Sequence, residues 1–148
     1  MEAIILSGIQ GSGKSSLCRA RYWDSHLRIN YDMLRTRHRE ALLLQACLAA
    51  KQALIIDATN PTRDDRRRYL QPCRAAGYRI IGIEFRIALP LAQARNAQRQ
   101  GKARVPDAAL RAFVRKREAL DFAEGFDEIW IMNVTEEAAT LTRHRAEA

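Results

Sequence analysis

Short apolar runs alternate with helix-length amphipathic segments along the chain. The runs that predict strands lie at residues 3–7, 27–30, 53–57, 79–85 and 128–132. Strands that are separated by helices in this way are typical of a parallel sheet covered by helices on both faces. The pattern therefore predicts an α/β chain folded as a three-layer sandwich around a five-stranded parallel sheet.

The segments between these runs predict the helices and their ends. Residues 14–21 follow a Gly-rich turn, and Thr62 with Asp65 has the spacing of a capping box that opens a helix. Pro72 lies inside that helix and is expected to kink or split it. Residues 135–148 are predicted to be a short helix and a frayed tail. The remaining helices are predicted over residues 34–48, 90–100 and 110–120.

Length and composition narrow the class of protein. A chain of 148 residues fits one domain, and 47% apolar with 28% charged residues is ordinary for a globular protein. No apolar run approaches the roughly 18 residues of a membrane helix, and the N-terminus lacks the pattern of a signal peptide. We therefore expect a single cytoplasmic domain, residues 1–148, with no membrane contact and no obligate protein partner.

The cysteines and histidines predict no metal or redox site. Cys18, Cys47 and Cys73 are odd in number and isolated, which indicates small buried hydrophobic side chains. The three histidines are scattered without the spacing of zinc ligands. Trp23 and Trp130 are interpreted as core or rim packing.

The net charge is +8, and nearly all of the positive charge is arginine. Such a surface attracts polyanions and raises their encounter rate. A coding bias toward arginine at exposed basic positions explains the same composition. Charge alone therefore favours nucleic acid and an ordinary basic surface equally.

Residues 8–15 read Gly-Ile-Gln-Gly-Ser-Gly-Lys-Ser and satisfy G-x-x-x-x-G-K-[ST] in full. They follow a predicted buried strand and open a predicted helix, which is the context that a phosphate-binding P-loop requires. The glycines let successive N–H groups point at phosphate oxygens, and the helix N-terminus favours the anion. Lys14 is expected to reach the β- and γ-phosphates, and Ser15 to ligate Mg²⁺. The predicted nucleotide-binding residues are Gly8, Gln10, Gly11, Ser12, Gly13, Lys14, Ser15 and Ser16, together with Arg95.

Asp57 ends a buried apolar run, where a P-loop NTPase carries its Walker B carboxylate. It is expected to hold Mg²⁺ directly or through a water molecule. The alternative is an aspartate that caps a helix or stabilises a turn. The nucleotide is expected to be ATP or GTP, because no base-reading residue can be identified.

Asp32 follows the second predicted strand, and the carboxyl ends of parallel strands line the ligand crevice. A carboxylate there can accept the proton of an attacking hydroxyl, as phosphoryl transfer to an alcohol requires. Arg35, one helical turn later, is expected to point the same way and to hold a phosphate or carboxylate of the acceptor. A helix cap and a solvated charge explain the same two residues equally well.

Arg95 and Arg99 are spaced i, i+4, and Lys102 and Arg104 follow within the break at Gly101–Pro106. Residues 95–106 are interpreted as a kinase lid that brings arginine onto the transferring phosphoryl group. A solvated helix face explains the same charges. The run Arg66–Arg68 is interpreted as surface rather than site.

An ordered set of motifs runs through about residues 3–132. It comprises the P-loop, Asn30-Tyr31-Asp32-x-x-Arg35, Ile56-Asp57-Ala58-Thr59-Asn60-Pro61, Arg68-Tyr69, Arg74-Ala75-Ala76-Gly77, Gln93-Ala94-Arg95-Asn96 with Arg99, Val105-Pro106 and Ala123-Glu124-Gly125-Phe126. This set resembles the kinase domain of the 5′-polynucleotide kinases, both the phage enzyme and the animal bifunctional kinase–phosphatase. The chain has the P-loop NTPase fold of nucleotide-kinase type if the resemblance holds.

The resemblance implies a base at Asp32, an acceptor-phosphate contact at Arg35, and a lid arginine at Arg99 that Arg95 assists. It also places Asp57 and Asn60 beside the acceptor. The segment that starts at Asp57 is similar to the animal type, whereas the phage type has its carboxylate one position later, where this chain has alanine. The duty of Asp57 is therefore open between the metal and the acceptor. No Asp-x-Asp-x-Thr phosphatase motif is present in the sequence.

These residues lead to the expectation of an ATP-dependent kinase that transfers the γ-phosphate to the 5′-hydroxyl end of DNA or RNA. Asp32, Lys14 and Arg99 are the expected catalytic residues. The alternatives are a kinase of a sugar, nucleoside or antibiotic hydroxyl, and a nucleotide-binding module without catalysis. An open basic groove beside Asp32 would favour a polynucleotide, and a closed pocket would favour a metabolite.

Overall fold

Six strands form the sheet in the computed structural model, which describes residues 1–147. The strands are β1 (Glu2–Ser7), β2 (Leu27–Ile29), β3 (Leu54–Ile56), β4 (Arg79–Ile87), β5 (Glu128–Val134) and β6 (Ala139–Arg145). Their order across the sheet is β2–β3–β1–β4–β5–β6. The pairs from β1 to β5 are parallel, and β6 runs antiparallel to β5. The α/β class is confirmed, but the predicted sheet is one strand short.

The missing strand lies in residues 135–148, for which the sequence predicts a short helix and a tail. That prediction is wrong, because β6 occupies most of this segment, and only residue 148 lies outside the described residues. As an edge strand, β6 is exposed along most of its length, so it carries no apolar run. Its basic side chains attach it to β5: Arg143 lies 4.2 Å from the Trp130 ring centroid, and Arg145 Nε lies 3.0 Å from Glu128 Oε1.

Helices connect the parallel strands. They are α1 (Lys14–Leu17), α2 (Tyr31–Leu34), α3 (Arg37–Ala50), α4 (Arg63–Ala75), α5 (Leu89–Ala97) and α6 (Asp107–Lys116). A π-helical turn, Cys18–Tyr22, extends α1, and 3₁₀ turns cover Gly101–Ala103 and Phe122–Glu124. The predicted helices over 34–48 and 90–100 therefore exist with shifted ends.

Helix α4 combines a local start signal with tertiary packing. Asp65 N donates to Thr62 Oγ1 at 3.1 Å and Thr62 N donates to Asp65 Oδ2 at 3.2 Å, so the predicted capping box is confirmed. Pro72 lies inside α4 and does not split it, contrary to one of the two expected outcomes. The buried Leu70 and Cys73 lie on either side of Pro72 in the core, and their burial outweighs the hydrogen bond that proline removes.

Successive side chains of β1 enter two different core clusters. Ala3 and Ile5 pack with residues of α3 and α4, whereas Ile4 and Leu6 pack with Cys18 beyond α1. The sheet is thus covered on both faces, as the sequence predicts. Among the helices of residues 1–147, none combines the length and the apolar character that a membrane span needs.

The three cysteines are free and buried, as predicted. Burial raises the pKa of the Cys18 and Cys73 thiols to about 12, which keeps them unreactive. Trp130 is buried, but Trp23 is 72% exposed, so its interpretation as packing is wrong. Trp23 stands where the chain leaves the π-helical turn, beyond the layer that the helix covers.

Candidate active site

The P-loop connects β1 to α1, and its shape depends on glycine. Gly11 and Gly13 have φ values of 83° and 105°, a left-handed conformation that L side chains rarely adopt. A Cβ at Gly8 would lie 2.7 Å from Cβ of Phe85, so only glycine fits there. Gln10 Oε1 and Ser12 Oγ are buried with no hydrogen-bond partner within residues 1–147. Unsatisfied polar atoms in such a loop fit a site that a polar ligand completes.

Lys14 lies at the centre of this loop and is buried. Its Nζ donates to the Gly8 carbonyl oxygen at 2.7 Å and to the Ile9 carbonyl oxygen at 2.9 Å. Burial lowers the pKa of Lys14 to about 8, Asp57 opposes this shift, and Arg99 adds to it. The loop therefore holds a desolvated cation that an anionic ligand would stabilise.

Ser15 and Asp57 meet behind the P-loop. Ser15 Oγ donates to Asp57 Oδ2 at 3.0 Å, and Arg28 Nε donates to the same carboxylate oxygen at 2.7 Å. Asp57 is only 3% exposed, and Asn30 Nδ2 donates to its backbone oxygen at 3.0 Å. The sequence places Asp57 and Ser15 together but gives no signal for Arg28, because the contact depends on the pairing of β2 with β3.

The donors at Ser15 and Asp57 fit Mg²⁺. Two ligands on adjacent corners of an octahedron with bonds of roughly 2.0–2.1 Å lie about 3 Å apart, which is the separation of Ser15 Oγ and Asp57 Oδ2. Within residues 1–147 no group of three or more His, Cys, Asp or Glu side chains could hold a metal ion.

Asn60 has a structural position in the loop after β3. Its Nδ2 donates to the Leu6 carbonyl oxygen at 2.9 Å, and its own carbonyl oxygen accepts from Ser7 Oγ at 2.9 Å. The residue is buried and adopts a φ of 44°. These bonds fix the loop against the end of β1, and a contact of Asn60 with the acceptor stays a prediction.

A cavity of about 410 Å³ lies beside the P-loop at the carboxyl ends of the strands. Asp32, in the first turn of α2, lines it, and Asp32 makes no ion pair within residues 1–147. The other residues that line this acceptor cavity include Gln10, Tyr31, Arg37, Asp57, Arg68 and Tyr69. One cavity thus joins the P-loop, a free carboxylate and two arginines.

Helical spacing predicts that the side chains of Arg35 and Asp32 point in the same direction, but the structure does not place them so. Helix α2 ends one residue earlier, and Arg35 turns the chain with a left-handed φ of 71°. Arg37 lines the acceptor cavity instead; its guanidinium lies 4.0 Å from the Tyr31 ring centroid, and its Nη1 donates to Glu40 Oε1 at 2.9 Å. Contact of Arg35 with an acceptor phosphate stays a prediction.

The predicted lid consists of the end of α5 and the loop that follows. Arg95 Nη1 donates to the Gly11 carbonyl oxygen at 3.3 Å, so this arginine touches the P-loop. Arg99 lies beyond the end of α5, so the two arginines do not share a helix face as their spacing predicts. Asn96, which the motif set includes without a role, closes the loop. Its Nδ2 donates to the Val105 carbonyl oxygen at 2.7 Å, and its Oδ1 accepts from Val105 N at 3.0 Å.

The run Arg66–Arg68 is not simply surface, which corrects its interpretation from sequence. Arg66 is fully buried and pairs with Glu124, and Arg68 lines the acceptor cavity. Arg67 is exposed, as predicted. The apolar face of α4 is the signal that finds Arg66, because it lies three and four residues before the buried Tyr69 and Leu70.

A second cavity, of about 400 Å³, lies on the other side of the P-loop. The loop residues Ser12, Gly13 and Ser16 line one wall, and Arg95 and the turn from 135 to 139 line others. That turn joins β5 to β6, which the sequence did not predict. The sequence therefore predicts the P-loop residues and Arg95 that line this cavity, but not the turn on its other side.

A family model described as an AAA domain matches residues 4–120 of the chain. The chain belongs to this family of AAA domains. The matched part of the AAA domain runs from β1 to just beyond α6 and includes the P-loop, Asp32, Asp57 and Arg99.

The AAA domain is also similar to the bifunctional polynucleotide phosphatase/kinase of Schizosaccharomyces pombe, with 25% identity over 132 residues. This match covers 86% of the chain and 32% of the relative, so the chain spans about a third of the length of that protein.

Solved structures establish the fold of the AAA domain. Kti12 of Chaetomium thermophilum in complex with ADP-AlF3 matches with a TM-score of 0.69 and 15% identity, over 88% of this chain and 88% of that one. A gluconokinase from Sinorhizobium meliloti 1021 matches with a TM-score of 0.62 and 16% identity, over 91% of this chain and 83% of that one. At these identities the likeness shows the P-loop kinase fold alone.

Proposed function

We propose that this AAA domain is a kinase that transfers the γ-phosphate of ATP to the 5′-hydroxyl end of a polynucleotide. The observation that carries the proposal is the acceptor cavity, in which the P-loop residue Gln10, the unpaired Asp32, and Arg37 and Arg68 face one space. A phosphate donor, a proton acceptor and cations for a second anion are what this transfer requires.

The nucleotide would lie across the P-loop. Its phosphates would receive the loop N–H groups and Lys14, whose buried cation gains a counter-charge on binding. Its base would enter the cavity bounded by Arg95 and the turn from 135 to 139, where the guanidinium can stack on a ring. The chemistry that Mg²⁺ supplies when bound at Ser15 and Asp57 is neutralisation of charge on the phosphates.

The acceptor oxygen would attack the γ-phosphorus, and the bond from that phosphorus to the bridging oxygen of ADP would break. Asp32 would take the proton of the attacking hydroxyl, since it is the carboxylate of the cavity that neither an ion pair nor a helix cap engages among residues 1–147. Arg99 acts electrostatically at the P-loop, because its charge lowers the pKa of Lys14. It can therefore stabilise the negative charge on the phosphoryl group in transfer.

Similarity to the polynucleotide phosphatase/kinase supports the choice of acceptor, since the match covers 86% of this chain. The fold does not discriminate between a polynucleotide and a small-molecule acceptor, because the gluconokinase has the same fold. The proposal therefore depends on the residues of the acceptor cavity rather than on the architecture.

A direct test incubates the protein with ATP, Mg²⁺ and 5′-hydroxyl oligonucleotides of DNA and of RNA, and follows labelling of the 5′ end. The Asp32→Asn variant should lower kcat by about 10²- to 10⁴-fold while nucleotide affinity stays the same. The Asp24→Asn variant removes another exposed carboxylate, which does not line the cavity, and serves as the control. The Lys14→Ala variant should abolish nucleotide binding.

Two outcomes would replace the proposal. Transfer to a sugar or a nucleoside, with no labelling of any oligonucleotide, would indicate a small-molecule kinase. A protein whose nucleotide binding is intact but which transfers phosphate to no acceptor, and whose Asp32→Asn variant behaves as wild type, would indicate a nucleotide-binding module.

A further inference from the structure

The acceptor cavity does not end at α4. A neighbouring cavity of about 440 Å³ lies between α3 and α4 and shares Arg37, Arg68 and Tyr69 with it. The two cavities therefore adjoin at these three residues, where Arg37 Nη1 donates to Tyr69 Oη at 3.3 Å, and together they reach from Asp32 to the outer surface of the two helices. We call the second cavity the α3/α4 groove, lined at its outer part by Ala41, Leu44, Arg67 and Gln71.

The charges along this path favour an anion at the junction of the two cavities. Glu40 is buried and accepts from Tyr69 Oη at 2.9 Å and from Arg37 Nη1 at 2.9 Å, so its charge is compensated. Asp64 pairs with Arg67 at the surface. Arg68 makes no ion pair within residues 1–147.

The α3 wall of the groove presents a small uncharged side chain. Ala41 is exposed there, whereas Leu44 and Tyr69 belong to the core and are only 6% and 2% exposed. A polynucleotide strand, whose phosphates recur at every nucleotide, matches a lining in which arginines lie beside an uncharged position. A compact sugar or nucleoside would be held in the acceptor cavity alone.

We infer that a single polynucleotide strand runs from the acceptor cavity into the α3/α4 groove. The terminal nucleoside would lie beside Asp32, its 3′-phosphate would contact Arg37 and Arg68, and the following nucleotides would occupy the groove. This assignment rests on the proposed function for its direction, because the 5′ hydroxyl must face the P-loop.

The test measures KM for a series of 5′-hydroxyl acceptors: a nucleoside 3′-phosphate, a dinucleotide, a tetranucleotide and an octanucleotide. The Ala41→Glu variant places a carboxylate in the groove on an exposed helical position. The Ala46→Glu variant makes the same change on an exposed position of α3 outside the groove and is the matched control.

For the wild type we expect KM to fall as the acceptor lengthens to about four nucleotides and then to stay constant. The Ala41→Glu variant should raise KM about tenfold for the tetranucleotide and leave it unchanged for the nucleoside 3′-phosphate. The Arg68→Gln variant should raise KM for every acceptor with a 3′-phosphate and reduce the slope of log KM against log salt by about 0.7. The Ala46→Glu variant should match the wild type.

A KM that does not depend on acceptor length, or equal effects of Ala41→Glu and Ala46→Glu, would overturn the inference while leaving the kinase activity in place. If the wild type phosphorylates no 5′-hydroxyl acceptor, the proposed function itself fails. The groove is then judged by fluorescence anisotropy with a labelled octanucleotide. It is retained only if Ala41→Glu weakens binding and Ala46→Glu does not.

Discussion

Replacement of Arg66 by methionine should strongly destabilise the protein. Arg66 has 0% exposure, its Nε and Nη2 donate to the two carboxylate oxygens of Glu124 at 2.8 and 3.0 Å, and its Nη1 donates to the Asn60 carbonyl oxygen at 2.9 Å. Methionine fills much of the same volume but removes the cation that faces the buried Glu124 carboxylate. The Asp121 N–H still donates to Glu124, and Ser7 Oγ still donates to the Asn60 carbonyl oxygen, but the charge of the carboxylate is no longer compensated. The loss is therefore electrostatic rather than a loss of packing.

The expected magnitude follows from the burial of both partners, whose side chains are 0% and 6% exposed. Removing one partner of a buried ion pair lowers the free energy of unfolding by roughly 3–5 kcal/mol. An unfolding entropy of about 2.1 cal/mol/K per residue gives about 0.3 kcal/mol/K for a chain of this length, so a loss of about 4 kcal/mol corresponds to about 13 °C in Tm.

Urea and thermal unfolding, followed by circular dichroism, measure the effect. The Arg67→Met variant is the control, since Arg67 is an exposed neighbour on the same helix whose pair with Asp64 is solvated. The double variant Arg66→Met/Glu124→Gln removes both charges and should be more stable than Arg66→Met alone. A loss below about 1 kcal/mol for Arg66→Met, or a loss equal to that of Arg67→Met, would refute the reasoning.

Three further predictions concern the site. Nucleotide affinity should fall about tenfold per pH unit above pH 8, because the free protein then holds Lys14 neutral and binding must restore its proton. Calorimetry in two buffers with different ionisation enthalpies measures this proton uptake. An affinity that stays unchanged up to pH 10 would contradict the prediction. The Arg28→Met variant should bind Mn²⁺ more tightly, because Arg28 competes with the metal ion for Asp57 Oδ2. Electron paramagnetic resonance measures the affinity, and an unchanged Mn²⁺ affinity would exclude this competition. The Arg35→Gly variant should be more active than Arg35→Ala, since glycine accepts the left-handed φ of 71°; equal losses would assign the role of Arg35 to its guanidinium.

The P-loop consists of contiguous residues, so its position and its role in phosphate binding could be predicted from the sequence. The strand, the glycines and Lys14 follow one another, so the loop geometry depends on local conformation. The partners of Asp57 differ in this respect. Arg28 lies 29 residues earlier and reaches Asp57 only because β2 and β3 pair in parallel with a particular register. Periodicity along the chain carries no information about that register.

The structure departs from the sequence predictions where a tertiary contact overrides a local pattern. Arginine is rarely buried, so the run Arg66–Arg68 predicts surface, but the phase of α4 and the carboxylate of Glu124 place Arg66 in the interior. The side chains of β6 are mostly exposed, so the segment has no apolar run that would predict a strand. Glu124 lies far from Arg66 in sequence, and β6 pairs with β5 in a sheet whose strand order the sequence does not show. Neither contact can therefore be predicted from a local pattern.

The turn at Arg35 determines which arginine of this segment lines the cavity beside Asp32. A continuous helix from residue 31 onward would place Arg35 beside Asp32, but the left-handed residue ends α2 and lets Thr36 cap α3 through its contact with Arg39 N at 3.1 Å. Arg37 then becomes the first residue of α3 and lies over Tyr31 at the wall of the acceptor cavity. The left-handed conformation of Arg35 thus positions Arg37 at the wall of the cavity, and this role of the backbone is independent of what the Arg35 guanidinium contacts.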